Sequence, residues 1–117
     1  MLMAFGSLAT IAAAKPTNLD IIVIDNQHFG KTGMQDSHTG MGIDFAKVAA
    51  ATGFADTDLL RSLDEVDGLC NSLKQPASGP RLYVLRIEAK KLPGSLPSRD
   101  ATYIKTRILA HLGLSPC

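Results

Sequence analysis

With 117 residues, 45% of them hydrophobic, and a net charge of +1, the chain has apolar material for one domain or a part of one. Its longest basic run is Lys90-Lys91, with no interleaved aromatics, so the composition argues against nucleic acid as a partner. The two cysteines, Cys70 and Cys117, lack the Cys-x-x-Cys spacing of a zinc or redox site and read as free thiols in a reducing cytoplasm.

Residues 1–14 are apolar, but the first basic residue, Lys15, comes after that stretch, whereas a signal peptide opens on positive charge. The run also falls short of the roughly 20 residues that span a bilayer, so no membrane anchor is expected. Residues 4–14 predict a buried helix, with Phe5, Leu8, Ile11 and Ala12 at helical spacing and Pro16 and Asn18 as its stop. Ile21-Ile22-Val23-Ile24 is β-branched and apolar on both faces, the pattern of a central parallel strand covered by helices on each side. Residues 28–42 form a long loop with glycines at 30, 33, 40 and 42, and loops of this length inside compact domains tend to be functional.

Asp44 precedes a short alanine-rich helix over residues 45–51, closed by Gly53. A short strand is expected over 54–57, with Asp58 as the cap of the next helix. Leu59, Leu63, Val66, Cys70 and Leu73 recur at steps of four, three, four and three, which predicts one apolar helical stripe. Residues 75–80 read as a turn, 82–87 as a second apolar strand and 92–97 as a linker. Residues 101–112 read as a final helix, with Ile104, Ile108 and Leu112 on one face. Strands alternating with helices imply an α/β architecture, a partial parallel sheet flanked by helices. A right-handed βαβ unit needs a strand ahead of the first helix, so the chain reads as truncated at its N-terminus, a partial domain over residues 1–117.

In open α/β sheets ligands bind beyond the carboxyl ends of the strands. The strand over 21–24 ends in Asp25-Asn26-Gln27-His28-Phe29-Gly30: a carboxylate, two amides and an imidazole ahead of a glycine-rich loop. Hard oxygen donors such as an amide carbonyl suit Mg²⁺ or Ca²⁺, and glycines let backbone N–H groups approach phosphate oxygens. His28 and His38 share the loop, so acid–base roles come into view, with His38 the weak catalytic candidate; His111 reads as structural or exposed. Thr32, Gln35, Ser37 and Thr39 could donate hydrogen bonds to a ligand, or simply form a polar loop. Asp56, Asp58, Asp64, Glu65 and Asp67 read as a helix start and a solvated face.

Two stretches carry a family resemblance. Met1-Leu2-Met3-Ala4-Phe5-Gly6-Ser7-Leu8-Ala9-Thr10-Ile11 is similar to the helix after the Gly-Asp-Gly triplet of thiamine diphosphate (TPP) enzymes. Asn18-Leu19-Asp20-Ile21-Ile22-Val23-Ile24-Asp25-Asn26 resembles the strand ending in their Asn-Asn signature. The chain thus resembles the C-terminal part of the TPP-binding domain, and the family's spacing puts the triplet's aspartate just ahead of Met1. Asp25 departs from the usual Asn but resembles phosphonopyruvate and sulfopyruvate decarboxylases, as do Thr32-Gly33-Met34-Gln35 and, less strongly, Arg99-Asp100-Ala101-Thr102-Tyr103-Ile104-Lys105.

The resemblance implies Mg²⁺ held by the Asn26 side chain and the His28 backbone carbonyl, with Asn26, His28, Phe29, Gly30 and Thr32 around the cofactor. It implies that the N-terminus of the first helix faces the diphosphate. It also implies a small 2-oxo acid substrate and a pyrimidine-binding domain or subunit as partner, in a homo- or hetero-oligomer, because the activating glutamate comes from there. The chain alone is therefore expected to have weak or no activity. Two alternatives stand beside a decarboxylase part: a carboligase of the acetolactate synthase type, against which Asp25 argues, and a non-catalytic remnant or interaction module.

Overall fold

The computed structural model describes residues 5–90, 94 and 96–114. Residues 1–4, including the first residue of the expected helix over 4–14, part of the expected linker and Cys117 lie outside the described residues. In chain order the elements are α1 (Ser7–Ala14), β1 (Asp20–Asp25), β2 (His28–Phe29), β3 (Gln35–Asp36), α2 (Phe45–Thr52), β4 (Asp56–Leu60), α3 (Leu63–Ser72), β5 (Arg81–Arg86) and α4 (Ala101–His111). No helix among the described residues is long and apolar enough to cross a membrane.

The three longer strands form a parallel sheet in the order β1-β5-β4, and β2 pairs antiparallel with β3 in a small separate hairpin. This is the α/β architecture the alternation of elements implies. Side chains alternate across β5 and separate two cores. Leu82 and Val84 join Leu8 and Ala12 of α1 and Phe45, Ala46 and Ala49 of α2 on one face. Tyr83 joins Leu60 and Leu69 on the other, under α3. Helices therefore flank both faces of the sheet.

Several expectations are corrected by the pairing. The strand expected to be central, over 21–24, pairs on one side only among the described residues; β5 takes the middle position. Ile21 and Val23 pack on the core under α1 and α2, while Ile22 is 47% exposed and Ile24 60% exposed. A run apolar on both faces encodes burial on both faces, but these residues bring a helix to only one of them. The first helix is likewise buried along one stripe, Leu8 and Ala12, and the rest of its surface is open apart from half-buried Ile11.

The expected helix that included Leu59 begins later. Thr57, Asp58 and Leu59 continue β4 in register with Leu82, Tyr83 and Val84. The helix starts after Ser62, whose side chain accepts from the Glu65 amide while the Glu65 carboxylate accepts from the Ser62 amide, a reciprocal capping box. Asp58 is therefore a strand residue and caps no helix. Moving the start shifts the buried stripe to Val66, Leu69 and Leu73, leaving Leu63 and Cys70 exposed. The Asp44 cap, which accepts from the Lys47 amide, and the left-handed Gly53 at φ 103° bound α2 as the sequence predicts. In α4 no residue is buried, so Ile104, Ile108 and Leu112 face solvent.

Candidate functional site

The site grows from the end of β1. Asp25, the last strand residue, is 8% exposed, and its Oδ1 accepts from the Gln27 amide at 2.8 Å and from the Thr39 hydroxyl at 2.7 Å. Asp25 cannot donate as a carboxylate, so Thr39 spends its one proton on Asp25. Ser37, 2.8 Å from Thr39, must then donate to the Thr39 oxygen. Both hydroxyls are buried. The chain turns at Gln27 through a left-handed conformation (φ 63°), and the Gln27 carbonyl accepts from the Ser37 amide. The two ends of the glycine-rich loop are thereby tied to the strand.

Between these ends, β2 and β3 form the hairpin the loop was not expected to contain, with His28 opposite Asp36 and Phe29 opposite Gln35. Its turn uses Gly33 at φ 120° and Met34 at φ 62°. Two residues of hairpin on each side leave no periodicity to detect, which is why the sequence shows only a loop. Close approach also explains a glycine. A Cβ on Gly40 would come within 2.7 Å of the Gln27 carbonyl oxygen, so no side chain fits there.

A cavity of about 150 Å³ opens at this strand end. Val23, Val84 and Phe45 supply apolar walls, and Asp25, Asn26, His28, Ser37 and Thr39 supply polar groups. Of the residues expected around a cofactor, Asn26, His28 and Phe29 line it. Gly30 stands next to it, where a Cβ would meet Asn26 Nδ2 at 3.4 Å. Thr32 is exposed in the hairpin turn, 3.4 Å from the Phe29 carbonyl and 3.4 Å from Gln35 Oε1, and is not among the lining residues. Gln35 is likewise exposed, whereas Ser37 and Thr39 are brought in. His38 is exposed, edge-on to the Phe29 ring with centroids 6.4 Å apart. The N-terminal end of α1 lies one ring away, through Phe5 packed edge-on against Phe45 at 5.6 Å.

The donor set suits a hard cation in part. The Asn26 side-chain oxygen accepts from the His28 amide at 3.1 Å, which occupies one of its two lone pairs. The His28 ring is committed locally: Nδ1 donates to the Asn26 carbonyl at 2.8 Å, and Nε2 lies 3.2 Å from Asp36 Oδ1. Asp25 Oδ2 is buried without a hydrogen-bond partner. Among the described residues no group of three or more His, Cys, Asp or Glu could hold a metal ion. These residues can thus contribute oxygen donors to an ion whose other ligands come from elsewhere, and they fit such an ion on that condition.

No family model matches the chain. Curated relatives do. The chain is 39% identical over 67 residues to the sulfopyruvate decarboxylase subunit beta of Methanocaldococcus jannaschii, covering 57% of this chain and 35% of the relative. It is 39% identical over 97 residues to the phosphonopyruvate decarboxylase of Streptomyces viridochromogenes, covering 82% of this chain and 23% of that protein. The sulfopyruvate decarboxylase subunit beta of Methanothermobacter thermautotrophicus matches at 36% over 67 residues, 57% of this chain and 34% of the relative. The chain is a relative of sulfopyruvate and phosphonopyruvate decarboxylases. It spans about a third or less of their length. The three-stranded parallel sheet flanked by helices is consistent with a TPP-binding fold.

Sequence reasoning passed over Arg86. This residue lies opposite Asp25 in the last registered pair of β1 and β5, and its Nη2 is 3.2 Å from Asp25 Oδ2. Nothing local to residue 86 marks it; only the strand pairing brings it to the site.

Proposed function

We propose that this chain is the cofactor-anchoring part of a 2-oxo acid decarboxylase that uses TPP and Mg²⁺. The observation that carries the reading is the cavity at the carboxyl end of β1, which gathers Asn26, His28 and Phe29 over apolar walls in a relative of two decarboxylases. The cofactor, when bound, supplies the electron sink for the carbanion left by loss of CO₂. The chain's own residues bind and orient. The Asn26 side-chain oxygen and the His28 backbone carbonyl are the proposed Mg²⁺ donors, and Gly30 leaves room for diphosphate oxygens beside Asn26. Val23, Val84 and Phe45 exclude water from one side of the site, which strengthens the polar contacts made there.

The substrate class in this reading is a small 2-oxo acid bearing a second anionic group, as in the names of the relatives. A complementary pyrimidine-binding domain or subunit completes the site, and a relative described as a beta subunit supports such a partner. A cytoplasmic location belongs to the same proposal, supported by the free thiol of Cys70 at the surface.

The test is a calorimetric titration of the full chain with TPP, in Mg²⁺ and again in EDTA, repeated with Asn26→Ala. Binding that needs Mg²⁺ and weakens at least about tenfold in the variant supports the proposal. Absent binding, or binding of equal strength in EDTA, overturns it.

A further inference from the structure

Asp25 and Arg86 form the last registered pair between two parallel strands, on the face shared with Val23 and Val84. Their side chains are 8% and 23% exposed. The carboxylate divides its work. Oδ1 accepts from the Gln27 amide and the Thr39 hydroxyl, the first and last anchors of the loop that carries Asn26 and His28 to the cavity. Oδ2 has no hydrogen-bond partner and faces Arg86 Nη2 at 3.2 Å, while Arg86 Nε is buried and also without a partner. The contact between them is therefore one of charge and not a directed hydrogen bond. Burying a carboxylate with no opposite charge beside it is costly, and Arg86 supplies that charge.

We propose that Arg86 is a positioning residue for the candidate cofactor loop, acting through Asp25, and that a carboxylate at position 25 requires the guanidinium at position 86. The reason is donor matching. An amide in place of Asp25 could keep Oδ1 as the acceptor for Gln27 and Thr39 only by turning its Nδ2 into the place of Oδ2. That puts an N–H₂ group against the N–H₂ of Arg86, donor against donor, and removes the charge that Arg86 faces. Neutral Gln at position 86, two bonds shorter than Arg, withdraws the guanidinium's donors and its charge together, so the amide no longer meets a like group there. The pair is thus interchangeable as a unit and not one residue at a time.

The inference rests on the proposed function only for what the loop is for; the geometry of the pair is read without any cofactor. The experiment is amide hydrogen exchange by NMR on the full chain, with Asp25→Asn, Arg86→Gln and the two combined. The Gln27 and Ser37 amides report the loop, and the Val84 amide in the centre of the sheet reports global stability. Each single variant is expected to lose about tenfold or more of the protection at Gln27 and Ser37, beyond any change at Val84. The double variant is expected to regain most of it. Arg86→Lys, which keeps the charge but loses the planar fork, covers the case in which Arg86→Gln does not fold, and is expected to fall between parent and Asp25→Asn. Protection within about twofold of the parent in Arg86→Gln, or in Arg86→Lys none lost, overturns the proposal. So does a double variant no better protected than the weaker single one. All of these readouts are made without cofactor, so a failed TPP titration leaves them standing and the reverse holds too.

Discussion

At the residue scale, the structure assigns side chains by where their polar atoms can go. Tyr83 illustrates this away from the candidate site. Its hydroxyl donates to Asp56 Oδ2 at 2.6 Å from a largely buried ring, and burial together with that bond raises the phenol above its ordinary value of 10.0. A phenol with a higher pKa in the fold than in the unfolded chain holds its proton more tightly when folded. The stabilisation is complete below the unfolded value and is lost as pH rises through the folded one. Thermal melts of parent and Tyr83→Phe between about pH 9 and pH 11 should show a steeper loss in the parent. Parallel pH profiles would remove this role for Tyr83. Asn26 and His28 were legible in the sequence because they come directly after a strand end. Arg86 was not, and Ser37 and Thr39 only as loop hydroxyls, because the contacts of Arg86 and Thr39 with Asp25, and of Ser37 with Thr39, depend on strand pairing and on the path of a loop.

At the scale of elements, local chemistry decided some boundaries and pairing decided others. The Asp44 cap and left-handed Gly53 bound α2 by interactions within the element and its flanks, so they read correctly from the sequence. The segment around Leu59 did not, since helical spacing and strand alternation both fit so short a run. Competition was resolved by β5, which pairs with Thr57, Asp58 and Leu59, and by the Ser62–Glu65 capping box, where the Arg61 and Ser62 amides hold the Glu65 carboxyl below its ordinary value. The corrected stripe has a measurable consequence. Leu69→Ala, a buried truncation, should cost about 2–5 kcal/mol in urea unfolding. Leu63→Ala, at a position 83% exposed, should stay within about 0.5 kcal/mol. Equal costs would return Leu63 to the core and undo the assignment.

At the scale of the whole molecule, β1 is an edge among the described residues, with Ile22 and Ile24 open to solvent, and α4 presents Ile104, Ile108 and Leu112 without burying any of them. The candidate site has the same character: oxygen donors for part of a coordination shell, and no described cluster that could complete one. With the chain matched to about a third or less of its relatives' length, turnover by the chain alone is not expected. Incubated with TPP, Mg²⁺ and either sulfopyruvate or phosphonopyruvate, the isolated chain should release no CO₂ above the protein-free rate. Turnover at the rate of a complete enzyme would show that every catalytic group is already present.

The order of the helices and longer strands, the parallel α/β class and the cluster of polar side chains just after residue 24, where a cavity opens, were determined by the sequence itself, because they depend on residue periodicity and on the residue types at a strand's carboxyl end. Which strand lies in the middle, which face of residues 63–73 is buried and which cation stands against Asp25 were decided only by the tertiary structure. Each of these depends on register between segments far apart in the chain, and register is set jointly by all the strands that pair.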